Sequence, residues 1–329
     1  RNPFRFFVFL AFFGHGPSGP IVRYGQQADQ LDPYGAARRV DADRFCYGIK
    51  RIVFGLSKKA LIADQLALIY QRVTSVPAET LPAPLLVLGY VAYMLQLYFD
   101  FSGYSDMAIG IGTFFGLELP ENFNYPYLAQ SVGEYWRRWH ISLSSWFRDY
   151  LYIPLGGSRC STARTCRNLV IVFLLTGLWH GAAWQYVVFG LLHGILLCAE
   201  RLGLRRLLEA LPAALRHLYT VVVLWLTLIL FGAPGLGQGL AAWAGILTWQ
   251  RGEPGYTLAA FADAKLLLIL VAAVLLCGPV QALFPRLKEA LYTRRAPGIP
   301  MMLCLLVLFF FGLMRVTAGT YSAFIYFQF

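Results

Sequence analysis

The chain has 329 residues, of which 58% are hydrophobic and only 14% are charged. Soluble domains carry roughly 25% charged residues, so this composition indicates a protein embedded in a membrane and excludes an ordinary soluble domain. A net charge of +11 would suggest nucleic acid as the partner of a soluble protein. Here the cations fall in loops between apolar segments, which is typical of cytoplasmic loops. We therefore expect membrane lipids and an anionic donor as partners, and no nucleic acid.

The apolar segments predict an all-α fold, a polytopic bundle of membrane helices within a single domain, residues 1–329. Residues 4–13 look like the end of a helix, and the chain starts at Arg1 without Met. We therefore expect a fragment that is truncated at its N-terminus and lacks some spans. Further spans are predicted at residues 85–99, 102–117, 169–197, 218–231, 266–283 and 301–314. Several are shorter than the ~20 residues of a perpendicular helix, which favours short, tilted or re-entrant helices.

Polar segments connect the predicted spans. Residues 45–73 form an amphipathic stretch that we expect at the membrane interface. Residues 119–168 hold six arginines against few acids, which predicts a cytoplasmic basic loop region. Residues 200–216 predict a second basic, amphipathic helix. If both basic segments are cytoplasmic, residues 169–199 must enter the membrane and return, which places His180 near the turning depth.

His180 lies inside an apolar stretch, between Trp179 and Gly181. A titratable group at hydrocarbon depth is costly, and histidine is suited to proton transfer near neutral pH. Apolar burial favours the neutral imidazole, which can accept a proton. The alternative is a core histidine that is hydrogen-bonded to a backbone carbonyl. The sequence makes His180 a candidate general base.

His140 follows a run of two tryptophans and two arginines. Such residues mark a membrane interface, so one interpretation is a plain interfacial histidine. The other is that His140 lines a polar route into the membrane and faces His180. His193 would lie on a different side of a straight helix from His180, and we expect it to be structural. His15 and His217 have no supporting context and are expected to be structural too.

Two carboxylates, Asp100 and Asp106, lie within an apolar region. They require partners or water there, which predicts either a polar cavity or structural ties to arginines. Their spacing does not form a metal-ligand set, and the chain contains no GxSxG, HExxH or P-loop motif. We therefore predict no bound metal and no bound cofactor.

Six strings together form a specific pattern that extends over nearly the whole chain. They are residues 19–23, 98–110, 122–127, 135–157, 177–184 and 324–329. The pattern resembles the membrane-bound O-acyltransferase family, and within it the bacterial branch of alginate O-acetylation. The resemblance implies a many-helix bundle around a central funnel. It also implies that His180 is the catalytic histidine of the family and His140 the second histidine of this branch. Residues 14–18 are more polar than this pattern leads us to expect.

The resemblance further implies transfer of an acyl group, with acetyl as the expected group. The donor would be a cytoplasmic thioester such as acetyl-CoA, and the acceptor an exported envelope polysaccharide such as alginate. It implies a multi-pass protein of the bacterial inner membrane and a periplasmic SGNH-type acetyltransferase that completes delivery. Cellulose, peptidoglycan and other envelope glycans stay open as acceptors.

Two non-enzymatic alternatives remain, a transporter and a scaffold subunit of an envelope-polymer modification complex. A transporter predicts paired inverted repeats with broken helices in matching halves, and the sequence shows no such symmetry. A scaffold leaves the intramembrane histidines unexplained.

Overall fold

The computed structural model describes residues 3–12, 19–32, 40–293, 297–318 and 324. The described residues form helices, turns and connecting segments, with no strand among them. Helices long and apolar enough to cross a membrane are Ala83–Phe114, Trp184–Glu209, Ala213–Gly232 and Ile299–Thr317. The predicted fold class, an all-α polytopic membrane protein, is confirmed.

The α-helices, in chain order, are α1 (Pro3–Ala11), α2 (Tyr24–Gln27), α3 (Ala42–Ser57), α4 (Asp64–Thr74), α5 (Ala83–Phe114), α6 (Val132–Arg138), α7 (Ile141–Phe147), α8 (Thr162–His180), α9 (Trp184–Ala199), α10 (Arg205–Glu209), α11 (Ala213–Gly232), α12 (Leu236–Leu247), α13 (Leu258–Phe261), α14 (Ala264–Leu276), α15 (Pro279–Leu283), α16 (Pro285–Tyr292) and α17 (Ile299–Thr317). π-Helical stretches at Lys58–Ala63 and Arg148–Tyr152 extend α3 and α7, and a third stretch at Glu200–Leu204 follows α9 with a kink at Gly203. The expected spans at 218–231 and 301–314 correspond to α11 and α17.

Helix α5 is the central element of the fold. Most of its residues are apolar and most of the helix is buried, as expected for a helix surrounded by other helices. The expectation of two separate spans at residues 85–99 and 102–117 is wrong. Asp100 and Asp106 do not interrupt the helix, because both carboxylates are paired with cations inside the protein.

The amphipathic stretch 45–73 corresponds to α3, a π-helical turn and α4, which pack along α5. Three of its cations are buried inside the protein, since Lys50, Arg51 and Lys59 are at most 1% exposed. The position of the stretch at the membrane interface stays a prediction. The Nζ atom of Lys50 donates to two backbone carbonyls, those of residues 290 and 293, at 3.0 and 2.7 Å. The other two cations pair with carboxylates. The stretch therefore belongs to the core of the fold.

The ion pairs of this stretch bear out the predicted tie between a carboxylate and an arginine. Arg51 pairs with Asp106, and Lys58 Nζ lies 2.7 Å from the other oxygen of the same carboxylate. Lys59 Nζ lies 2.7 Å from Asp100 and 2.8 Å from Asp64. Lysines therefore share a role that the sequence analysis gave to arginines.

Helices α8 and α9 form an antiparallel pair with their backbones in close contact. A Cβ atom built on Gly177 would lie 2.3 Å from the carbonyl oxygen of Tyr186, and one on Gly190 would lie 2.3 Å from that of Phe173. Gly181 between the helices has φ +153°, and a Cβ there would lie 2.8 Å from the Tyr186 ring. The segment 169–197 is therefore a broken pair of helices, one of the two forms that the sequence predicted.

Three predictions for the polar and C-terminal parts need correction. The basic segment 200–216 is not one helix, since α10 ends at Glu209 and α11 begins at Ala213. The expected span at residues 266–283 is divided into α14 and α15 around Gly278, and the short apolar helix α12 was not predicted. Residues 119–168 hold α6 and α7 rather than a plain loop. Their position on the cytoplasmic side stays a prediction.

The contact between α8 and α9 predicts a steric penalty that depends on position. Gly190→Ala should destabilise the protein, because the new methyl group meets the backbone of α8 and overpacking costs about 1–3 kcal/mol. Gly237→Ala is the matched control, since nothing lies within 4 Å of the added Cβ in α12. Alanine is otherwise favoured over glycine in helices by roughly 0.5–1 kcal/mol. Thermal unfolding in detergent should therefore give a lower Tm for Gly190→Ala and an unchanged or higher Tm for Gly237→Ala. Equal Tm values for the two variants would contradict the packing.

Candidate active site

His180 is the last residue of α8, and its side chain is enclosed by aromatic rings. The residue is 7% exposed. The imidazole centroid lies 5.0 Å from that of Phe231 on α11, with the rings nearly perpendicular, and 4.9 Å from that of Trp179. The rings of Tyr186 and Phe189 on α9 each lie 6.5 Å away. Three helices thus supply an apolar wall that favours the neutral form of the imidazole.

His140 occupies the turn between α6 and α7, where the chain enters α7. Its backbone is left-handed, with φ +43° and ψ +55°, and the residue is 1% exposed. A left-handed conformation in a residue other than glycine costs about 1–3 kcal/mol and persists only where the surroundings determine it. The imidazole packs edge-on against Phe101 of α5 at 4.7 Å. The structure therefore places this histidine inside the bundle, in a strained turn, rather than at an exposed interface.

Trp179 joins the two histidines. Its ring lies 4.9 Å from that of His180 and 5.9 Å from that of His140. The structure thus brings both sequence-predicted histidines to one indole, although they belong to separate motifs. Sequence analysis noted Trp179 only as a neighbour of His180 and missed its contact with His140. Phe101 was missed as well, although it lies next to Asp100 in a motif that was singled out.

His193 on α9 contacts the ring of Phe189, which also belongs to the wall around His180, at 4.5 Å. Its Nδ1 accepts a hydrogen bond from Trp136 Nε1 at 3.1 Å, and its Nε2 lies 3.1 Å from Thr227 Oγ1. Thr227 donates its own proton to the carbonyl of Leu224, so its oxygen is the acceptor for a proton on His193 Nε2. Both ring nitrogens hold neighbouring helices together, as expected for a structural histidine. His217 donates from Nδ1 to the carbonyl of Ala129 at 3.3 Å. His15 lies outside the described residues.

An apolar groove of about 320 Å³ lies between α6, α7 and α8. Its lining includes Arg137, Leu143, Phe147, Arg148, Val172 and Thr176. Leu143 lies about one helical turn after His140, and Thr176 lies about one turn before His180. Neither histidine lines the groove, but the lining comes within about one helical turn of each of them along the chain.

The arginines of the groove give it a basic rim. Arg148 Nε lies 2.7 Å from Asp149, whose other oxygen lies 2.6 Å from Arg23. The hydrogen bond from Arg148 lowers the pKa of the Asp149 carboxyl, so this cluster stays charged at neutral pH. An apolar floor with a cationic rim fits a molecule that joins an aliphatic chain to phosphates.

A second cavity of about 280 Å³ lies on another side of the His140 turn and has charged and polar side chains in its wall. Its lining includes Lys58, Asp106, Asn122, Tyr125, Ile141 and Lys288. The carboxylate of Asp106 therefore both pairs with cations and borders a cavity with polar side chains, the two alternatives that the sequence left open. Within the described residues, no group of three or more histidine, cysteine, aspartate or glutamate side chains could hold a metal ion.

Comparison with known proteins gives the family. Residues 2–233 match the model of the membrane-bound O-acyltransferase family. The chain is 37% identical to the probable alginate O-acetylase AlgI of Azotobacter vinelandii, over all of this chain and 70% of that protein. It is 39% identical to the peptidoglycan O-acetyltransferase of Helicobacter pylori, over 73% of this chain and 46% of that protein. It is 33% identical to the teichoic acid D-alanyltransferase of Bacillus subtilis, over 59% and 50% of the two chains.

These relatives all carry names of acyl or aminoacyl transferases, and the family match covers both histidine motifs. The chain spans 70% of the length of the Azotobacter relative and about half of the length of the other two. The described part of the chain also has the helical, membrane-spanning architecture that the resemblance implied. The chain therefore belongs to the membrane-bound O-acyltransferase family.

Proposed function

We propose that the protein transfers an acetyl group from a cytoplasmic thioester, such as acetyl-CoA, towards an exported polysaccharide. The observation that carries this proposal is the convergence of His140 and His180 on one indole ring. The groove with a basic rim between α6, α7 and α8 supports it. The two histidines belong to separate sequence motifs, 40 residues apart along the chain. Their roles as catalytic residues are supported by this geometry and by the family.

His180 acts as the general base in this proposal. Its neutral imidazole takes the proton of the attacking hydroxyl while the hydroxyl oxygen forms a bond to the thioester carbonyl carbon. The carbon–sulfur bond then breaks, and the imidazolium returns the proton to the thiolate that leaves. His140 orients the hydroxyl or assists the movement of the proton. The aromatic wall around His180 keeps water from competing as the nucleophile.

The apolar groove accommodates the donor. Its rim arginines, Arg137 and Arg148, would bind the phosphates of a coenzyme, since guanidinium groups match phosphate geometry. Its floor would hold the aliphatic arm, and its inner end near Thr176 would present the thioester to His180. No bound metal or prosthetic group takes part in this chemistry.

The acceptor and the partners are proposed from the relatives. Their names refer to alginate, peptidoglycan and teichoic acid, which are polymers outside the cytoplasm. We propose an envelope polysaccharide such as alginate as the acceptor, a periplasmic SGNH-type acetyltransferase as the partner that completes delivery, and the bacterial inner membrane as the location. A transporter or a scaffold would not require two histidines at one aromatic cluster.

Replacement of the general base tests the reaction. In the full-length protein, His180→Ala should reduce acetyl transfer by about 10²–10⁴-fold, the range typical of general bases, because the apolar wall offers no substitute. Transfer of labelled acetyl groups by purified protein gives the measurement. His217→Ala is the matched control, since His217 lies away from the aromatic cluster, and it should keep wild-type activity. If His180→Ala keeps more than about a tenth of the activity, the general-base role is wrong.

The side of the membrane on which the basic region lies can be tested by labelling. Ser158 is exposed in the basic region 119–168, and the arginine excess predicts that this region is cytoplasmic. In a protein that lacks Cys160 and Cys166, a cysteine at position 158 should resist an impermeant thiol reagent in intact cells. The same cysteine should react once the cells are permeabilised. Efficient labelling of intact cells would reverse the orientation and remove the support for a cytoplasmic donor.

A further inference from the structure

The left-handed turn at His140 is held by the segment that precedes α6. The backbone of Asn124 donates to the carbonyl of Arg138 at 2.9 Å, and Arg138 Nη1 donates to the carbonyl of Asn124 at 3.1 Å. On the other side of the turn, Ile141 donates its backbone N–H to the carbonyl of Asn122 at 3.0 Å. The chain is thus bound by the same segment before and after His140.

Asn122 contributes its side chain as well as its backbone. Its Oδ1 accepts hydrogen bonds from the backbone N–H of Ser142 at 3.2 Å and from Ser142 Oγ at 2.9 Å. Its Nδ2 lies 3.3 Å from Ser105 Oγ on α5 and donates to it. Asn122 is 0% exposed. One buried amide therefore connects the start of α7 to the central helix.

The chemistry of the amide suits this position. An asparagine side chain both accepts and donates hydrogen bonds, and here each function has a partner on a different helix. Ser142 Oγ also accepts from the backbone N–H of Ile21 at 2.9 Å, so the hydroxyl is held from two sides. An apolar side chain of similar size would leave the buried N–H of Ser142 without its acceptor.

We infer that Asn122 is a positioning residue for His140. It fixes the two residues that follow His140 and anchors them to α5, and this holds the imidazole between Phe101 and Trp179. Asn122 acts through His140 and does not need to touch the substrate. The inference rests on the proposed function, because it assigns the hydrogen bonds a role in acyl transfer by this site.

The test is a double-mutant cycle in the full-length protein, with Asn122→Leu and His140→Ala. Asn122→Leu should lower kcat about 10–100-fold, since a displacement of about 1 Å in a catalytic group can cost 10²-fold. KM for acetyl-CoA should change less than about threefold, because the donor groove is untouched. In the His140→Ala background, Asn122→Leu should have no further effect, because residues that act as one unit are non-additive.

Further variants separate positioning from folding. Asn124→Leu changes an exposed side chain in the same segment, whose bonds to Arg138 use only the backbone, and it should keep wild-type kcat. The Asn122→Asp variant should transfer acetyl groups while its carboxyl is protonated, since a carboxylic acid both accepts and donates hydrogen bonds. Burial would raise the pKa of that carboxyl, so its activity should fall relative to the wild type as the pH rises. If Asn122→Leu does not fold, Ser142→Ala removes one of the same bonds and should show a smaller loss of kcat with the same coupling.

Each outcome supports or overturns a specific claim. If His140→Ala is impaired and the effect of Asn122→Leu is equally large with and without His140, the positioning role is wrong and the proposed function survives. If His140→Ala transfers acetyl groups at the wild-type rate, both the role of His140 and the inference for Asn122 are wrong. A loss of kcat that disappears in the His140→Ala background supports the inference.

Discussion

The buried ion pairs between α3, its π-helical extension and α5 set the geometry of the site. A charge removed from water costs several kcal/mol unless it is paired with good geometry, so Asp100 and Asp106 must face their lysine and arginine partners. This requirement fixes the position of α5 along its own axis relative to α3 and its π-helical extension. The same part of α5 carries Phe101, which contacts His140, and Ser105, which anchors Asn122. The position of the histidine turn therefore follows from pairs that take no part in the chemistry.

Different local interactions place the two histidines at the indole of Trp179. His180 ends a helix because Gly181 adopts a backbone that other residues rarely tolerate, and glycine contacts between α8 and α9 let the rings of α9 close around it. His140 lies in a left-handed turn that hydrogen bonds on both sides maintain. Packing stabilises the first position, and a polar network stabilises the second. Trp179 of α8 thus contacts both histidines.

Much of this architecture could be predicted from local sequence signals. Apolar runs predicted the fold class, and the basic segments on both sides of residues 169–199 predicted that the chain turns near His180. The path of α5 could not be predicted, because Asp100 looks like an interruption until Lys59 is known to pair with it. For the same reason the burial of Lys50, Arg51 and Lys59 could not be predicted. Hydrophobic periodicity predicts that a helix has a polar face. It does not show whether that face contacts water or a buried carboxylate. The contact of Trp179 with His140 likewise depends on tertiary packing.

The central claim is that His140 and His180 act as one unit within a packed aromatic cluster. Single-turnover acetyl transfer by His140→Ala, His180→Ala and the double variant of the full-length protein tests it most directly. The account predicts that the double variant is no slower than His180→Ala, because residues of one unit are non-additive. It also predicts a less complete loss for His140→Ala alone, since water in the adjoining cavity can replace part of its function. A double variant whose loss equals the product of the two single losses would contradict the account.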